Sequence, residues 1–421
     1  MQSSKMWIFE KAKANVKPAV GCTEPVAVGY LASQARKYLG GEPAEAVVYV
    51  SKNIYKNGKS VYIPGTGEAG LPLAAAIGFT RSNPGRELMV FDGLESEEIL
   101  KAKELLNKGA IRLEIRPDSP DVFAEIEAKR NETQVLVRLS GGHDRITHVQ
   151  VNDEVIFHMD EESRTADEKP EVTLGDLLEL LETLSEDEIA FVEDGIKYNF
   201  AAAEVGLNGH YGLELGRKLN EITNNPCFAN QGMKAQTLTA AAADMRMGGG
   251  LYPIMTSGGS GNQGIGVVIP IEVVASDNEI PVEKRNRALV LGHMINELVK
   301  MYSGKLSGMC GCAIGAGVGS AAGITWMLGG NEEQISAACN MMFANLTGML
   351  CDGAKDTCAL KLSTCAYQAV VSAYLALSDL KLKPSVGLVG EDLGETISNV
   401  GYLSKEAFPL VDEKMLDIIS K

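Results

Sequence analysis

Residues 309–317 read Met-Cys-Gly-Cys-Ala-Ile-Gly-Ala-Gly, and they open a Gly/Ala/Ser-rich run that extends to residue 328. Glycine and alanine let helix axes approach one another, so this run favours a tightly packed helical core. The same stretch places two cysteines among glycines. Glycine lets a backbone approach a bulky inorganic group and donate N–H groups to it. The stretch therefore predicts close helix packing and indicates a candidate iron–sulfur site.

Further cysteines stand on both sides of this stretch. Cys351 precedes Asp-Gly-Ala-Lys and then Cys358, whereas Cys22 lies far upstream in Gly-Cys-Thr-Glu-Pro. Three thiolates would leave one iron of a [4Fe–4S] cluster open to act as a Lewis acid on a substrate. The spacing is not that of a ferredoxin, so buried hydrophobic cysteines are the alternative, which suits Cys339 and Cys365 better. The absence of nearby histidines disfavours structural zinc.

Cys22 immediately precedes a predicted helix over residues 26–38, with Thr23 as its expected N-cap. The positive end of the helix dipole is expected to lower the pKa of this thiol. Such a thiolate could serve as a general base or as a further cluster ligand. The alternative is a cysteine that is merely buried in a turn.

A glycine-rich segment, Thr-Ser-Gly-Gly-Ser-Gly-Asn-Gln-Gly-Ile-Gly, spans residues 256–266. Successive backbone N–H groups and hydroxyls favour anion binding. The segment lacks the lysine of a P-loop, so a carboxylate pocket is favoured over a nucleotide pocket. A flexible surface loop is the alternative. Residues 208–212 and 244–248 could line the same cleft.

The composition limits the class of protein. The chain has 421 residues, of which 45% are hydrophobic, and a net charge of −16. It contains no block of Lys and Arg, which argues against nucleic-acid binding. The apolar runs at 313–328 and 366–377 are too rich in small residues for membrane spans, and we find no secretory signal. We therefore expect a cytoplasmic protein with neither a nucleic-acid nor a membrane partner.

The periodicity of the chain predicts an α+β fold. Residues 1–85 and 173–421 are expected to form a mainly helical domain, and residues 86–160 an inserted smaller α+β domain, with 161–172 as a charged linker. Within the insert we predict one helix and several strands, at 96–108 and at 87–91, 111–115, 122–128, 134–139, 147–151 and 154–159. A further strand is predicted at 46–51, and the Asn-Gly pair within 56–59 predicts a hairpin turn leading into a strand at 60–63.

Taken together, the four motifs in this order resemble the L-cysteine desulfidase family, over essentially the whole chain. They are the segments around Cys22, Asn262, Cys312 and Cys351. That family is related to the α region of iron–sulfur L-serine dehydratases. The resemblance implies a [4Fe–4S]-dependent lyase that works without pyridoxal phosphate. It would convert L-cysteine and water into pyruvate, ammonia and hydrogen sulfide.

The resemblance also implies roles for particular residues. The cluster ligands would be Cys312, Cys351 and Cys358, with Cys310 as the competitor for the first place. The remaining site residues would be catalytic (Cys22, Glu24) or substrate-binding (Asn53, Ser257, Gly258, Ser260, Asn262, Gln263). The chain departs from the dehydratases in two respects: Ala-Ile-Gly-Ala follows Cys312 where they carry an acidic residue, and the C-terminus has no cysteine.

Two other functions remain open at this point. An L-serine dehydratase would use the same cluster with a different leaving group, and a non-catalytic iron–sulfur redox sensor would release no pyruvate. In either enzyme the partner is a small amino-acid substrate. The Gly/Ala-rich helices could also pack between two copies, so a homodimer is possible.

Overall fold

The computed structural model describes residues 4–81, 84–159, 171–304 and 306–420. Its α-helices are α1 (Ser4–Ala14), α2 (Thr23–Leu39), α3 (Lys52–Gly58), α4 (Leu71–Thr80), α5 (Ser96–Asn107), α6 (Leu174–Thr183), α7 (Glu186–Ile189), α8 (Glu193–Asn208), α9 (Leu215–Thr223), α10 (Gln231–Met247), α11 (Gly261–Asp277), α12 (Val282–Ser303), α13 (Val318–Met327), α14 (Glu332–Leu346), α15 (Cys358–Leu377), α16 (Leu393–Glu406) and α17 (Phe408–Ile419). Its strands are β1 (Pro18–Ala19), β2 (Glu45–Val50), β3 (Ile111–Ile115), β4 (Phe123–Arg130), β5 (Thr133–Ser140), β6 (Ile146–Val151), β7 (Glu154–His158) and β8 (Ile254–Met255). The predicted α+β fold class is confirmed. The predicted linker lies, apart from residues 171–172, outside the described residues.

A six-stranded sheet has the order β3-β2-β4-β5-β6-β7. Strand β2 is parallel to β3 and antiparallel to β4, so Val48 lies opposite both Leu113 and Ile126. The strands from β4 onward pair antiparallel with their neighbours in the chain. One face is covered by α2. Because β2 comes from residues 45–50, the sheet extends beyond the predicted bounds 86–160, and the division into two domains stays a prediction.

Three local predictions are wrong, each for a packing or capping reason. Residues 56–59 do not form a hairpin turn, because residues 56–58 are the end of α3 and Lys59 directly follows it. The Ser51 hydroxyl caps the first turn of this helix. A Cβ at Gly58 would lie 2.2 Å from Leu71 Cδ2, so this glycine serves close packing instead of a turn. In place of the strand at 60–63 there is a single bridge, from Tyr62 to Ala69. A 3₁₀ helix, Pro84–Met89, occupies most of the predicted strand 87–91.

Helix α2 also begins differently from the prediction. Its N-cap is Cys22, and Thr23 is already the first helical residue. A glycine must precede this cap, since Gly21 has φ +85° and a Cβ there would lie 2.6 Å from the ring of Pro64. The first turn of α2 therefore presents Cys22, Thr23 and Glu24 from one tight bend.

Small residues let the helices of the second part of the chain pack backbone against backbone. A Cβ at Gly206 of α8 would lie 1.9 Å from the carbonyl oxygen of Ala241 in α10. Likewise, a Cβ at Gly319 of α13 would lie 2.3 Å from the carbonyl oxygen of Gly292 in α12. Such contacts leave no room for a side chain, which is why this core is built from Gly and Ala. Among the described residues, no helix combines the length and apolarity that crossing a membrane requires.

Candidate functional site

A cavity of about 110 Å³ lies where the first turn of α2, the end of α10, the start of α11 and the cysteine-bearing segments meet. Most of the predicted site residues line it: Cys22, Glu24, Ser260, Asn262, Gln263, Cys310, Cys312, Cys351 and Cys358. These residues are distant in the chain, so the tertiary fold is what brings them together.

The two cysteine motifs are joined by a short antiparallel bridge. Met309 pairs with Leu350. The Cys310 N–H donates to the carbonyl of Met349 at 2.8 Å, and the Cys351 N–H donates to the carbonyl of Gly308 at 2.8 Å. A π-helical segment, Cys312–Gly317, follows directly, and such irregular turns are frequent at functional sites. The bridge thus holds thiols from separate segments on one cavity wall.

Burial dominates the electrostatics of these thiols. It raises the pKa of Cys358 to about 11. It also raises the pKa of Cys351, although the Lys56 cation opposes this rise. The hydrogen bond between the thiols of Cys310 and Cys312 lowers the pKa of Cys310 to about 7 and, with burial, raises that of Cys312. Within this pair the hydrogen bond therefore favours the thiolate of Cys310 over that of Cys312.

The expected effect of the helix dipole on Cys22 is wrong. Burial raises its pKa to about 12, although the nearby Arg246 cation acts in the opposite direction. The side chain is 2% exposed, and the cost of removing a thiolate from water exceeds the benefit of the helix N-terminus. Its Sγ lies 3.9 Å from Met247 Sδ. Cys22 is therefore a protonated thiol in this environment.

Glu24 is held in place by its neighbours. Asn57 Nδ2 donates to Glu24 Oε1 at 3.0 Å, and the Thr23 hydroxyl donates to Oε2 at 3.2 Å. His143 Nε2 lies 4.0 Å from Oε1. A buried carboxylate with two neutral donors thus faces the same cavity as the thiols.

The glycine-rich segment forms a tight turn before α11. Ser257 and Ser260 bond to each other through their backbones, and Gly258 and Gly259 between them have positive φ. The Ser257 hydroxyl is fully buried and bonds to His293 Nδ1 at 2.8 Å and to Asn296 Nδ2 at 2.9 Å. Ser257 therefore holds the turn in place through buried hydrogen bonds. Within the segment, the residues that line the cavity begin at Gly259.

Three predicted substrate-binding residues do not line this cavity: Asn53, Ser257 and Gly258. Asn53 lies on α3 beside a second cavity of about 300 Å³, where its Nδ2 donates to Asp121 Oδ1 at 3.2 Å. The carbonyl of Gly258 accepts a hydrogen bond from Lys300 Nζ at 2.6 Å. Their assignment to the substrate stays a prediction that the cavity does not support.

Sequence reasoning missed Asn57 and His143 and did not distinguish Arg246 within the stretch 244–248. All three line the cavity. Asn57 was hidden by its Asn-Gly context, which is typical of turns. Arg246 is 4% exposed, and its Nη1 donates to Asn262 Oδ1 at 2.8 Å. A lone arginine inside an alanine-rich helix was the only available signal.

The thiol set fits an iron–sulfur cluster better than a single ion. No three Cys, His, Asp or Glu side chains converge on one ion position within the described ranges. A [4Fe–4S] cluster does not need such convergence, because each cysteine binds a different iron. All the cysteines in the described residues are free of disulfides. The residues present therefore fit a cluster held by Cys351, Cys358 and one or both of Cys310 and Cys312.

Comparison with known proteins shows the family of this chain. The family model described as serine dehydratase alpha chain matches residues 94–417. A UPF0597 protein of Clostridium botulinum strain Okra is 44% identical over 419 residues, covering 98% of this chain and 96% of that protein. A UPF0597 protein of Clostridioides difficile strain 630 is 37% identical, covering 98% and 99%, and one of Clostridium perfringens strain SM101 is 36% identical, covering 97% and 96%. Because the family model matches more than half of the chain, this chain belongs to the serine dehydratase alpha chain family.

Proposed function

We propose that this protein is a [4Fe–4S]-dependent lyase that needs no pyridoxal phosphate and eliminates the β-substituent of a small L-amino acid. The proposed reaction is L-cysteine plus water giving pyruvate, ammonia and hydrogen sulfide. The observation that carries the proposal is the single cavity shared by the cysteine motifs, Cys22, Glu24 and the start of α11. The family match supports a dehydratase-type lyase, and the preference for cysteine rests on the motif resemblance.

Within this proposal, Cys351, Cys358 and Cys312 would hold the cluster, with Cys310 as the competing ligand. When bound, the cluster would supply a Lewis acid at the leaving group. The bridge between Met309 and Leu350 holds the segments of Cys310 and Cys351 side by side, which supports this ligand set. The glycines around them let the backbone approach: a Cβ at Gly353 would lie 2.4 Å from the carbonyl oxygen of Lys56.

Two other residues of the cavity would accept the proton that leaves the substrate Cα. Cys22 is the proposed base: its thiol, protonated in the buried environment, would first have to lose its own proton, and the resulting thiolate would take the proton from Cα. Glu24 is the second proposed proton acceptor within the cavity. Burial excludes water from both groups, because Cys22 is 2% and Glu24 7% exposed. Elimination leaves aminoacrylate, which hydrolyses to pyruvate and ammonia in water without further catalysis. Alternatively, Cys22 would be a resting-state ligand that the substrate displaces.

The test is an anaerobic assay of reconstituted protein with L-cysteine, in which sulfide and pyruvate are measured together and L-serine is run in parallel. Equal amounts of both products, lost on exposure to air, would support the desulfidase. Cys22→Ala should abolish turnover and keep most of the bound iron. The matched control is Cys227→Ser, because Cys227 is exposed and remote from the cavity. Normal turnover by Cys22→Ala would refute its role as base.

L-serine dehydratase activity is the second candidate, favoured by the description of the matching family. Pyruvate from serine with little from cysteine would establish it. A normal cluster spectrum without pyruvate from either substrate would instead leave a redox sensor. For any of these functions we propose a cytoplasmic location, since a reducing compartment suits the free thiols of the described residues.

A further inference from the structure

The cavity contains two buried side chains of opposite charge that do not pair with each other. Arg246 is 4% and Glu24 7% exposed. Glu24 accepts hydrogen bonds from Asn57 and Thr23. Among the described residues, no carboxylate lies within ion-pair distance of Arg246. Its guanidinium donates a hydrogen bond to the side chain of Asn262. A buried cation without a counter-charge is costly, so an occupant with an anionic group beside Arg246 would be favoured.

The guanidinium of Arg246 retains bonding capacity. Its Nε is buried and has no hydrogen-bond partner within the described part of the chain. A Cβ at Gly261 would lie 2.4 Å from this Nε, so the guanidinium packs directly on the first residue of α11. Arginine offers two parallel N–H groups to a carboxylate, which gives both strength and a defined orientation.

Helix α11 adds a second attraction for an anion at the same place. It is 17 residues long, and its N-cap, Ser260, makes no side-chain cap. The first N–H groups of a helix have no partners inside the helix and carry a partial positive charge. Ser260 and Asn262 line the cavity beside Arg246. The side chain of Asn262 is already used, because it accepts from Arg246 at 2.8 Å and lies 3.6 Å from Met247 Sδ.

From these contacts we infer that Arg246, together with the start of α11, binds the α-carboxylate of the amino-acid substrate, while Glu24 faces its ammonium group. This inference rests on the proposed function, because it concerns the substrate of the same cavity. It narrows the sequence-based assignment of the carboxylate to the glycine-rich segment, because the Ser257 hydroxyl of that segment is buried against His293 and Asn296. Asn262 becomes a positioning residue that orients Arg246.

The test uses three ligands without a leaving group, so that none is consumed. L-Alanine carries both charges, ethylamine lacks the carboxylate and propionate lacks the ammonium. Calorimetry on anaerobically reconstituted protein should show L-alanine binding more tightly than either analogue. Arg246→Met should weaken L-alanine binding by about 10- to 100-fold, as expected for a lost charge-assisted bond, and leave ethylamine binding unchanged. Arg246→Lys should recover part of the loss.

Arg285→Met is the matched control, because Arg285 is also largely buried but pairs with Glu272 and does not line the cavity. It should bind all three ligands like the unmodified protein. In kinetics, Arg246→Met should raise KM more than it lowers kcat, a split that a purely structural defect would not produce. If Arg246→Met does not fold, the ligand series on the unmodified protein still decides: ethylamine binding as tightly as L-alanine overturns the inference.

The two proposals fail in different ways. Arg246-dependent binding of L-alanine without turnover of any substrate would retain the carboxylate site and remove the lyase. Turnover with an unchanged KM and unchanged L-alanine affinity in Arg246→Met would retain the lyase and remove the carboxylate site.

Discussion

A buried ion pair next to the segment that carries Cys351 provides the most demanding test of what keeps this part of the cavity in position. Lys56 of α3 pairs with Asp412 of α17, and their side chains are 1% and 13% exposed. The backbone of Lys56 contacts Gly353, and its cation opposes the rise in the pKa of Cys351 that burial causes. The pair therefore connects the C-terminal helix to the segment that carries a proposed cluster ligand.

Lys56→Met should destabilise the protein by about 3–5 kcal/mol, because it leaves Asp412 largely buried without its partner. The loss is large beside a typical unfolding free energy of about 5–15 kcal/mol. Because the unfolding entropy is about 2.1 cal/mol/K per residue, a chain of 421 residues loses about 1 °C of thermal midpoint per kcal/mol, and the midpoint should fall by roughly 3–6 °C. Bound iron should fall as well, since the Cys351 segment loses its support.

Urea unfolding and the thermal midpoint measure this loss. Lys101→Met is the control, because Lys101 forms an exposed pair with Glu97, and its removal should have little measurable effect. The double variant Lys56→Met/Asp412→Leu should be more stable than Lys56→Met alone, since no unpaired charge remains. If Lys56→Met is no more destabilising than Lys101→Met, the reasoning about burial is refuted.

Three further predictions concern the cavity and its surroundings. Iron and sulfide analysis of reconstituted Cys310→Ser and Cys312→Ser should show which thiol is the ligand: we expect loss of the cluster in Cys312→Ser and its retention in Cys310→Ser, and the reverse result would exchange their roles. Gly353→Ala should lower the urea midpoint by the equivalent of about 1–3 kcal/mol, because Gly353 has φ +93° and a Cβ would meet the Lys56 carbonyl; an unchanged midpoint would contradict this close approach. Burial raises the pKa of Asp244 to about 6, so the folded state binds its proton more tightly than the unfolded state, and stability should fall as pH rises from about 4 to about 6. Urea midpoints across this range should show that fall in the unmodified protein and a shallower one in Asp244→Asn, and equal slopes would refute the assignment.

Local regularities in the sequence predicted much of the fold correctly. Alternating apolar residues predicted β3 to β7, apart from small shifts of their ends, and the helix at 96–108 corresponds to α5. Strands β5 and β6 follow their own side-chain periodicity, since alternate residues are the more buried ones. Every residue of β7 is exposed, although its position was predicted correctly. The wrong predictions fall where packing overrides local preference. Gly58 was read as a turn residue, whereas its missing Cβ makes room for Leu71.

The chemistry-bearing residue types were visible in the sequence because cysteine and glycine motifs are rare and distinctive. The sequence alone could not predict the electrostatic environment of those residues. A thiol at a helix start is expected to have a lowered pKa, yet Cys22 has a raised one because the surrounding core excludes water. Burial is a property of the whole fold, so no local motif predicts it.

The sequence by itself determined the helix and strand periodicities, the small-residue packing of the core, and the cysteine and glycine motifs that indicate the family. Only the tertiary structure decided which of these residues share a cavity. In it, Arg246, Asn57 and His143 lie beside Cys22 and the cysteine motifs, whereas Asn53 and the Ser257 hydroxyl lie outside this cavity. The physical reason is that local patterns depend on neighbours in the chain, whereas a binding cavity depends on side chains that only long-range packing and backbone bridges bring together.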